Sequence, residues 1–487
     1  MIVLSYELME KSGLRYVLDM LGTCSPYGAQ RKRRLRVYDR ASRAELVDEL
    51  YNVRRIVEYM GEHDCSGLER LLMGLKDIRR SVEALGSLAL SDVELFELKR
   101  FFLQLERIAP EYAQLDEACE LRGMHIASYP EALRILDPEG QRAPTFMVSS
   151  RYSERLTAIR REKRDIEERI RSADGGEREQ LMLERTRIAA CEDEEQANVR
   201  RGLCERLLPY ARDVLLTIDS LGRLDFTLGR ARLARAHGCC APELTDARVA
   251  FEGMTHPQVA HALEQRSKAF TPIDVSVDRG VTVITGANMG GKSVALNSIA
   301  LNVLCVHCGI FPFARSAAVP LFDGLHMISE DAQDASRGLS SFGAEMLQLD
   351  GAVSQLREGE LALLLIDELA RGTNPDEGAS IVRGVVAMLR AEAAVTVLAT
   401  HYDDVACLAD AHYQVKGMAQ ADLAELRRRI QLQRTASIEL IEECMDYGIA
   451  RVDGNNGVPK DAVEICELLG INEKIMRSIK NFVDKRR

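Results

Sequence analysis

Five polar residues stand at the ends of stretches that are otherwise apolar. Lys292 and Ser293 follow VTVITGANMGG, Asp367 and Glu368 follow LALLLI, and His401 follows AVTVLAT. The first pair closes the pattern G-x-x-x-x-G-K-S, in which Gly286 and Gly291 permit a turn tight enough for successive N–H groups to face a polyphosphate. Ala287, Asn288, Met289 and Gly290 form the loop between them. Lys292 is placed to reach β- and γ-phosphates, and Ser293 to ligate Mg²⁺. Asp367 is placed to hold the same ion through water, and Glu368 to polarise an attacking water. An acidic pair at the end of a buried strand has little structural reason to exist, so chemistry is the better account of it. A single histidine is usually structural, but His401 ends a strand that follows the acidic one, where it can sense the γ-phosphate.

These residues need a frame that brings three strand ends together. The β-branched run before Gly286 reads as a buried strand, and the residues after Lys292 take helical spacing as far as Gly309. LALLLI and AVTVLAT read as further buried strands, and SRGLSSFGAEM (336–346) as a serine-rich turn opening a helix. Strands alternating with helices imply a mainly parallel sheet with its site at the carboxyl ends of the strands.

The rest of the chain reads as helical. Residues 1–125 form a helical region in which GLERLLMGLKDIRRSVEAL (67–85) is one amphipathic packing helix and QRKRRLR (30–36) a solvated loop. ILDPEGQRAPTFMVSS, with its prolines and glycine, reads as a hairpin or connector. From Ser153 a charged helix of some 20 residues, about 30 Å long, runs to a break at ADGG (173–176). A second helical run leads from Glu177 to about Ser220, making a helical hairpin or lever over 126–244. VAFEGMTHPQV (249–259) reads as an edge strand leading into a nucleotide domain at 245–420, and 421–487 as a helical segment for packing or dimerisation.

At 487 residues, with 46% hydrophobic and 29% charged residues, the chain is long and apolar enough for several globular domains. A net charge of -11 argues against a protein devoted to wrapping duplex nucleic acid. Scattered cysteines and an N-terminus without a basic leader suggest a reducing cytoplasm. Cys305 and Cys308 sit within the helix after the glycine loop and read as core thiols. Val294 to Phe313 is interrupted by Asn297, Asn302 and His307, and reads as a core helix with no membrane span.

GANMGGKS, SSFGAEM, DELARGTNPDEG and ATHY, in that order, resemble the ATPase domain of the MutS family, with APEL and THP similar to its run-in. The resemblance covers about 240–420, extends more loosely over 60–240, and reappears in the terminal YGI and VPKDAVEICELLG, which resemble the family's dimerising helices. It implies an α/β ABC-like P-loop ATPase domain preceded by an all-α core and lever, with ATP and Mg²⁺ bound in a homodimer or a heterodimer with a related subunit. By position it implies that Ser340 and Ser341 complete the partner's site and that Thr373 and Asn374 lie near the opposing subunit. It makes Phe270 a residue for stacking on adenine, with simple packing as the equal alternative. The family's mismatch-reading segments, clamp and nuclease-like domain find no counterpart here. Among short MutS-like proteins the chain is most similar to the KamC type, associated with adenosylcobalamin-dependent lysine 5,6-aminomutase and considered a reactivating ATPase. That narrower resemblance rests on ILDPEGQRAPTFMVSSRYSERLTAIRREK and VDGNNGVPKDAVEICELLG. The expectation is a cobalamin-dependent aminomutase as protein client, with a DNA-structure-binding MutS-like ATPase as the alternative.

Overall fold

Continuous aliphatic and β-branched runs become the central strands of a sheet in a computed structural model. It describes residues 2–87, 90–143, 145–286, 291–329, 341–357, 359–417, 428, 446–452, 466 and 471–484. The chain divides into two compact units, one of Met1–Leu21, Arg36–Leu50 and Arg230–Arg487, the other of Gly22–Leu35 and Tyr51–Gly229. This division differs from the boundaries expected at 125, 244 and 420. Two N-terminal segments and the last turns of the helix Ala211–His237 group with the glycine-loop unit. Arg230 gives the reason: its buried guanidinium pairs with the buried carboxylate of Glu49 and donates to the carbonyl of Gly309 at 3.0 Å.

The first unit holds ten strands among the described residues: β1 (Glu243–Thr245), β2 (Val249–Met254), β3 (Ile273–Val277), β4 (Gly280–Thr285), β5 (Ser316–Pro320), β6 (Gly324–Ile328), β7 (Ala362–Asp367), β8 (Ala394–Thr400), β9 (Ala411–Gly417) and β10 (Asp446–Arg451). Six form a sheet in the order β10-β9-β4-β8-β7-β6, parallel throughout except for β10 against β9. Every residue of β4 and β8 is buried, as strands covered on both faces require. The helices Lys292–His307, Ser341–Ser354 and Pro375–Leu389 follow β4, β6 and β7. Val382 and Val386 of the last pack with Leu364, Ile366 and Leu398 of the sheet. The helix Lys292–His307 is buried almost all round, which explains its long apolar run, and no described helix is long and apolar enough to cross a membrane.

Its end is fixed by His307. The N–H of Phe322 donates to Nε2 at 3.2 Å, so the ring proton sits on Nδ1 and is donated to the carbonyl of Tyr38 at 2.7 Å. Burial holds this imidazole neutral and pushes its pKa down to about 4. Cys305 and Cys308, near the same end, are buried free thiols, and burial pushes Cys308 up to about 12.

A second sheet, β1-β5-β2-β3, was not foreseen. In it β2 lies between β5 and β3, so VAFEGM is an interior strand and not an edge. DYGIAR forms β10, a strand where helix was expected, because β9 offers it an antiparallel edge. Most of 418–445 and 453–470 lies outside the described residues. The terminal helix Glu473–Asp484 matches expectation.

In the second unit the expected helix over 67–85 is two, Ser66–Met73 and Arg79–Ala84. The break follows Gly74, and Tyr27 holds it by donating its hydroxyl to the carbonyl of Lys76 while accepting from the N–H of Ile78. The basic run 30–36 is no loop at its start: Arg31, Lys32 and Arg33 close the helix Pro26–Arg33, where cations suit the negative end of the dipole. The hairpin forms from Glu154–Ser172 and Gly175–Leu207. Leu156, Ile166, Leu181 and Ile188 are among its buried apolar residues, and the arms are tied by ion pairs. Glu192 receives Arg160 at 2.8 Å and Lys163 at 2.6 Å, which hold its carboxyl below the usual range.

Candidate functional site

Parallel register brings the polar residues to one level. Thr285 of β4 is opposite Thr400 of β8, and Asp367 of β7 is opposite Ala399 of β8. Gly286, Glu368 and His401 are the next residues on these three neighbouring strands, so they leave the sheet at its carboxyl edge together. A helix cannot do this with so few residues; adjacent strands do it by pairing.

Gly286 has φ +147°, and a Cβ there would meet the Cβ of Val415 at 2.9 Å. Gly291, with φ +89°, is the N-cap of the helix that begins at Lys292. Both glycines of the motif are thus required by backbone shape. The ammonium of Lys292 is buried, donates to the carbonyl of Gly286 at 2.8 Å and lies 3.1 Å from Oε1 of Glu368. Arg371, half exposed, lies 3.1 Å from the other oxygen of Glu368. The sequence reading missed Arg371, although it stands in the quoted DELARGT.

Glu368 and Ala370 have φ of +49° and +63°. Left-handed backbone at residues other than glycine costs about 1 kcal/mol or more each, so this turn must be held. The N–H of Glu368 donates to Ala399 at 3.0 Å, and the N–H of Ala370 donates to Oε2 of Glu345 at 2.9 Å. The hydroxyl of Tyr402 donates to the carbonyl of Ala370 at 3.2 Å. Burial pushes the Tyr402 pKa up, and the carboxylates of Glu345 and Glu368 push it further. Glu345 also went unassigned from sequence. Its signal was a carboxylate at i, with Leu349 and Ala352 at i+4 and i+7, on the buried face of a helix.

Ser293 is exposed in the first turn of its helix, and Asp367 ends β7. Among the described residues no group of three or more His, Cys, Asp or Glu could hold a metal ion. A hydroxyl and a carboxylate are nevertheless hard oxygen donors of the kind Mg²⁺ takes when phosphate and water complete its shell, so the pair fits that ion. Thr373 is half-buried, and Asn374 caps the helix Pro375–Leu389 by accepting from the N–H of Asp376 at 3.0 Å. Phe270 is half-buried in the segment before β3. Ala287, Asn288, Met289, Gly290 and Ser340 lie outside the described residues, as does the side chain of Ser341.

Residues 282–469 match the family model of MutS domain V. This matched stretch carries the glycine loop, the acidic strand and His401. The chain is 29% identical to the DNA mismatch repair protein MutS of Shouchella clausii over 60% of its own length and 33% of that protein's. It is 31% identical to the endonuclease MutS2 of Thermomicrobium roseum, over 45% of this chain and 28% of the relative. With the MutS of Granulibacter bethesdensis it shares 33% identity over 42% of this chain and 22% of the other. The chain thus matches about a third or less of the length of these curated relatives.

Proposed function

We propose that this protein binds and hydrolyses ATP with Mg²⁺ at the loop Gly286–Ser293, and that it does so as a dimer. The observation that carries the reading is the meeting of Lys292 and Glu368 at 3.1 Å, at the carboxyl edge of a parallel sheet and beside a glycine loop. In that geometry an arriving phosphate competes with Glu368 for the Lys292 ammonium. Lys292 then faces the β- and γ-phosphates, and the released carboxylate of Glu368 is available to orient and polarise water. Ser293 and Asp367 would hold Mg²⁺, which supplies charge neutralisation on the phosphates. His401, next along from β8, is placed to sense the γ-phosphate, and Phe270 is the residue proposed for the adenine.

Ser340 and Ser341 are proposed to act on the partner's γ-phosphate, with Thr373 and Asn374 close to the same interface, in a homodimer or a heterodimer with a related subunit. The division into core (1–125), lever (126–244), ATPase domain (245–420) and C-terminal segment (421–487) belongs to this reading. So does a cytoplasmic location, which suits the free cysteines of the described residues. The test is complementation: a Lys292→Ala chain mixed with a Ser340→Ala Ser341→Ala chain should recover part of the lost hydrolysis through one intact composite site. Mixed dimers confirmed by mass and still inactive would count against it.

For the output of the cycle we place work on DNA first, because the relatives are named for DNA mismatch repair and as an endonuclease. A protein client is the second reading, with the cobalamin-dependent aminomutase suggested by the sequence as its concrete form. The observation favouring it is the hairpin, whose Arg160, Lys163 and Arg185 are engaged with Glu192 and Glu167 and are thereby partly neutralised as phosphate contacts. Binding of duplex and branched DNA across a salt series, beside ATP-dependent recovery of a turnover-inactivated aminomutase, separates the two. Salt-dependent DNA binding that responds to ATP supports the first, and recovery of the aminomutase without DNA binding supports the second.

A further inference from the structure

The turn that carries Glu368 is gripped by residues from two other segments, Glu345 and Tyr402. Ala370 is its fixed point: its N–H is taken by Glu345 at 2.9 Å and its carbonyl by Tyr402 at 3.2 Å. Glu345 is buried, on the helix Ser341–Ser354, and Tyr402 directly follows His401. The space is closed on a third side, since a Cβ on Gly378 would collide with the Tyr402 hydroxyl and meet the carbonyl of Ala370 at 3.0 Å. Both Glu368 and Ala370 are left-handed, a backbone that relaxes unless neighbours hold it.

We propose that Glu345 is a positioning residue for ATP hydrolysis: by accepting the Ala370 N–H it fixes the left-handed turn that points the Glu368 carboxylate at Lys292 and the phosphate loop. Tyr402 is its partner on the carbonyl side. The inference rests on the reading of Glu368 as the group that polarises water. It has a structural consequence, because Glu345 stands one helical turn after Ser341. The helix that opens at the proposed partner-facing serines is therefore hydrogen-bonded to the turn carrying the base, and a displacement of one is passed to the other.

The experiment compares the full-length parent with Glu345→Ala, Glu345→Gln and Tyr402→Phe, reading ATP affinity, kcat and thermal unfolding in each. Glu345→Ala should lower kcat by about 10²-fold, the cost of misplacing a group by around an ångström, while ATP affinity stays within about threefold. Glu345→Gln retains an oxygen for the Ala370 N–H and should stay within about fivefold of the parent kcat; Tyr402→Phe should lose about threefold to tenfold. In a Glu368→Gln background, Glu345→Ala should cost less than about threefold, because the group it positions is gone. A folded Glu345→Ala chain with the parent kcat, or one that loses affinity with kcat unchanged, overturns the proposal. If that variant does not fold, Glu345→Gln and Tyr402→Phe decide: the first as slow as Glu368→Gln, or the second at the parent rate, overturns it. A parent chain that does not hydrolyse ATP sinks the ATPase reading itself, an outcome distinct from an active parent with an unaffected variant.

Discussion

The carboxyl edge of the six-stranded sheet and the helical hairpin both place acids beside bases, yet the pairs are of different kinds. At the sheet edge the Lys292 side chain is 3% exposed and that of Glu368 12%, one opening a buried helix and the other directly following a buried strand. In the hairpin Arg185 and Glu167 pair at 2.8 Å with side chains 47% and 36% exposed. Water screens the second pair and not the first, so a similar distance carries a different energy. The sheet-edge pair is held out of water, whereas the hairpin pair keeps two arms side by side in it.

The largest effect that sharpens this contrast is at Lys292. Lys292→Ala removes the buried cation 3.1 Å from Glu368 and should abolish productive ATP binding, measured by nucleotide titration; binding within tenfold of the parent would sink the assignment. Glu368→Gln should keep binding and slow turnover by about 10² to 10⁴, the span for a positioned acid or base. Hydrolysis at the parent rate would mean the base lies elsewhere.

Next comes the pair that joins the helix Ala211–His237 to the glycine-loop unit. Arg230 and Glu49 have side chains 1% and 3% exposed, so Arg230→Ala takes a buried guanidinium away from a buried carboxylate and should cost about 3–5 kcal/mol in a denaturant titration. A loss below about 1 kcal/mol would place this pair with the hairpin's.

His307 should give a smaller, pH-dependent effect. Its folded pKa, about 4, lies below the usual 6.5, so its contribution is present above pH 6.5 and is lost as pH falls towards 4, when the unfolded chain takes up the proton first. The shift corresponds to about 3 kcal/mol. Unfolding free energy measured from pH 7 to 4 should fall more steeply for the parent than for His307→Gln; parallel curves would show that the ring titrates normally.

What could be read beforehand follows the same division. The site was legible because its signals are local: a glycine loop of fixed spacing, two carboxylates ending an apolar run, and a histidine ending another. Glu345, Arg371 and Tyr402 were quoted within motifs but not assigned, since their roles depend on the left-handed turn at Glu368 and Ala370, which spacing does not reveal. The second sheet escaped because β5 pairs with β1 and β2 from some 70 residues away. The break in 67–85 escaped because it depends on Tyr27, distant in sequence, satisfying both backbone groups at the gap.

The smallest expected effect is at Arg185. Its guanidinium meets Glu167 across the hairpin, but both ends stay in contact with water, so the Coulomb gain is opposed by screening and by the entropy of holding two long side chains in one geometry. The buried residues Leu156, Ile166, Leu181 and Ile188 are apolar and untouched by the substitution, and Glu192 keeps its two cations at the other end. Arg185→Ala should therefore change the unfolding free energy by less than about 0.5 kcal/mol, and added salt should erase most of even that. A loss above about 1 kcal/mol, persisting at high salt, would show that the hairpin depends on its outer charges as the sheet edge depends on its inner ones, and the contrast between the two regions would fall.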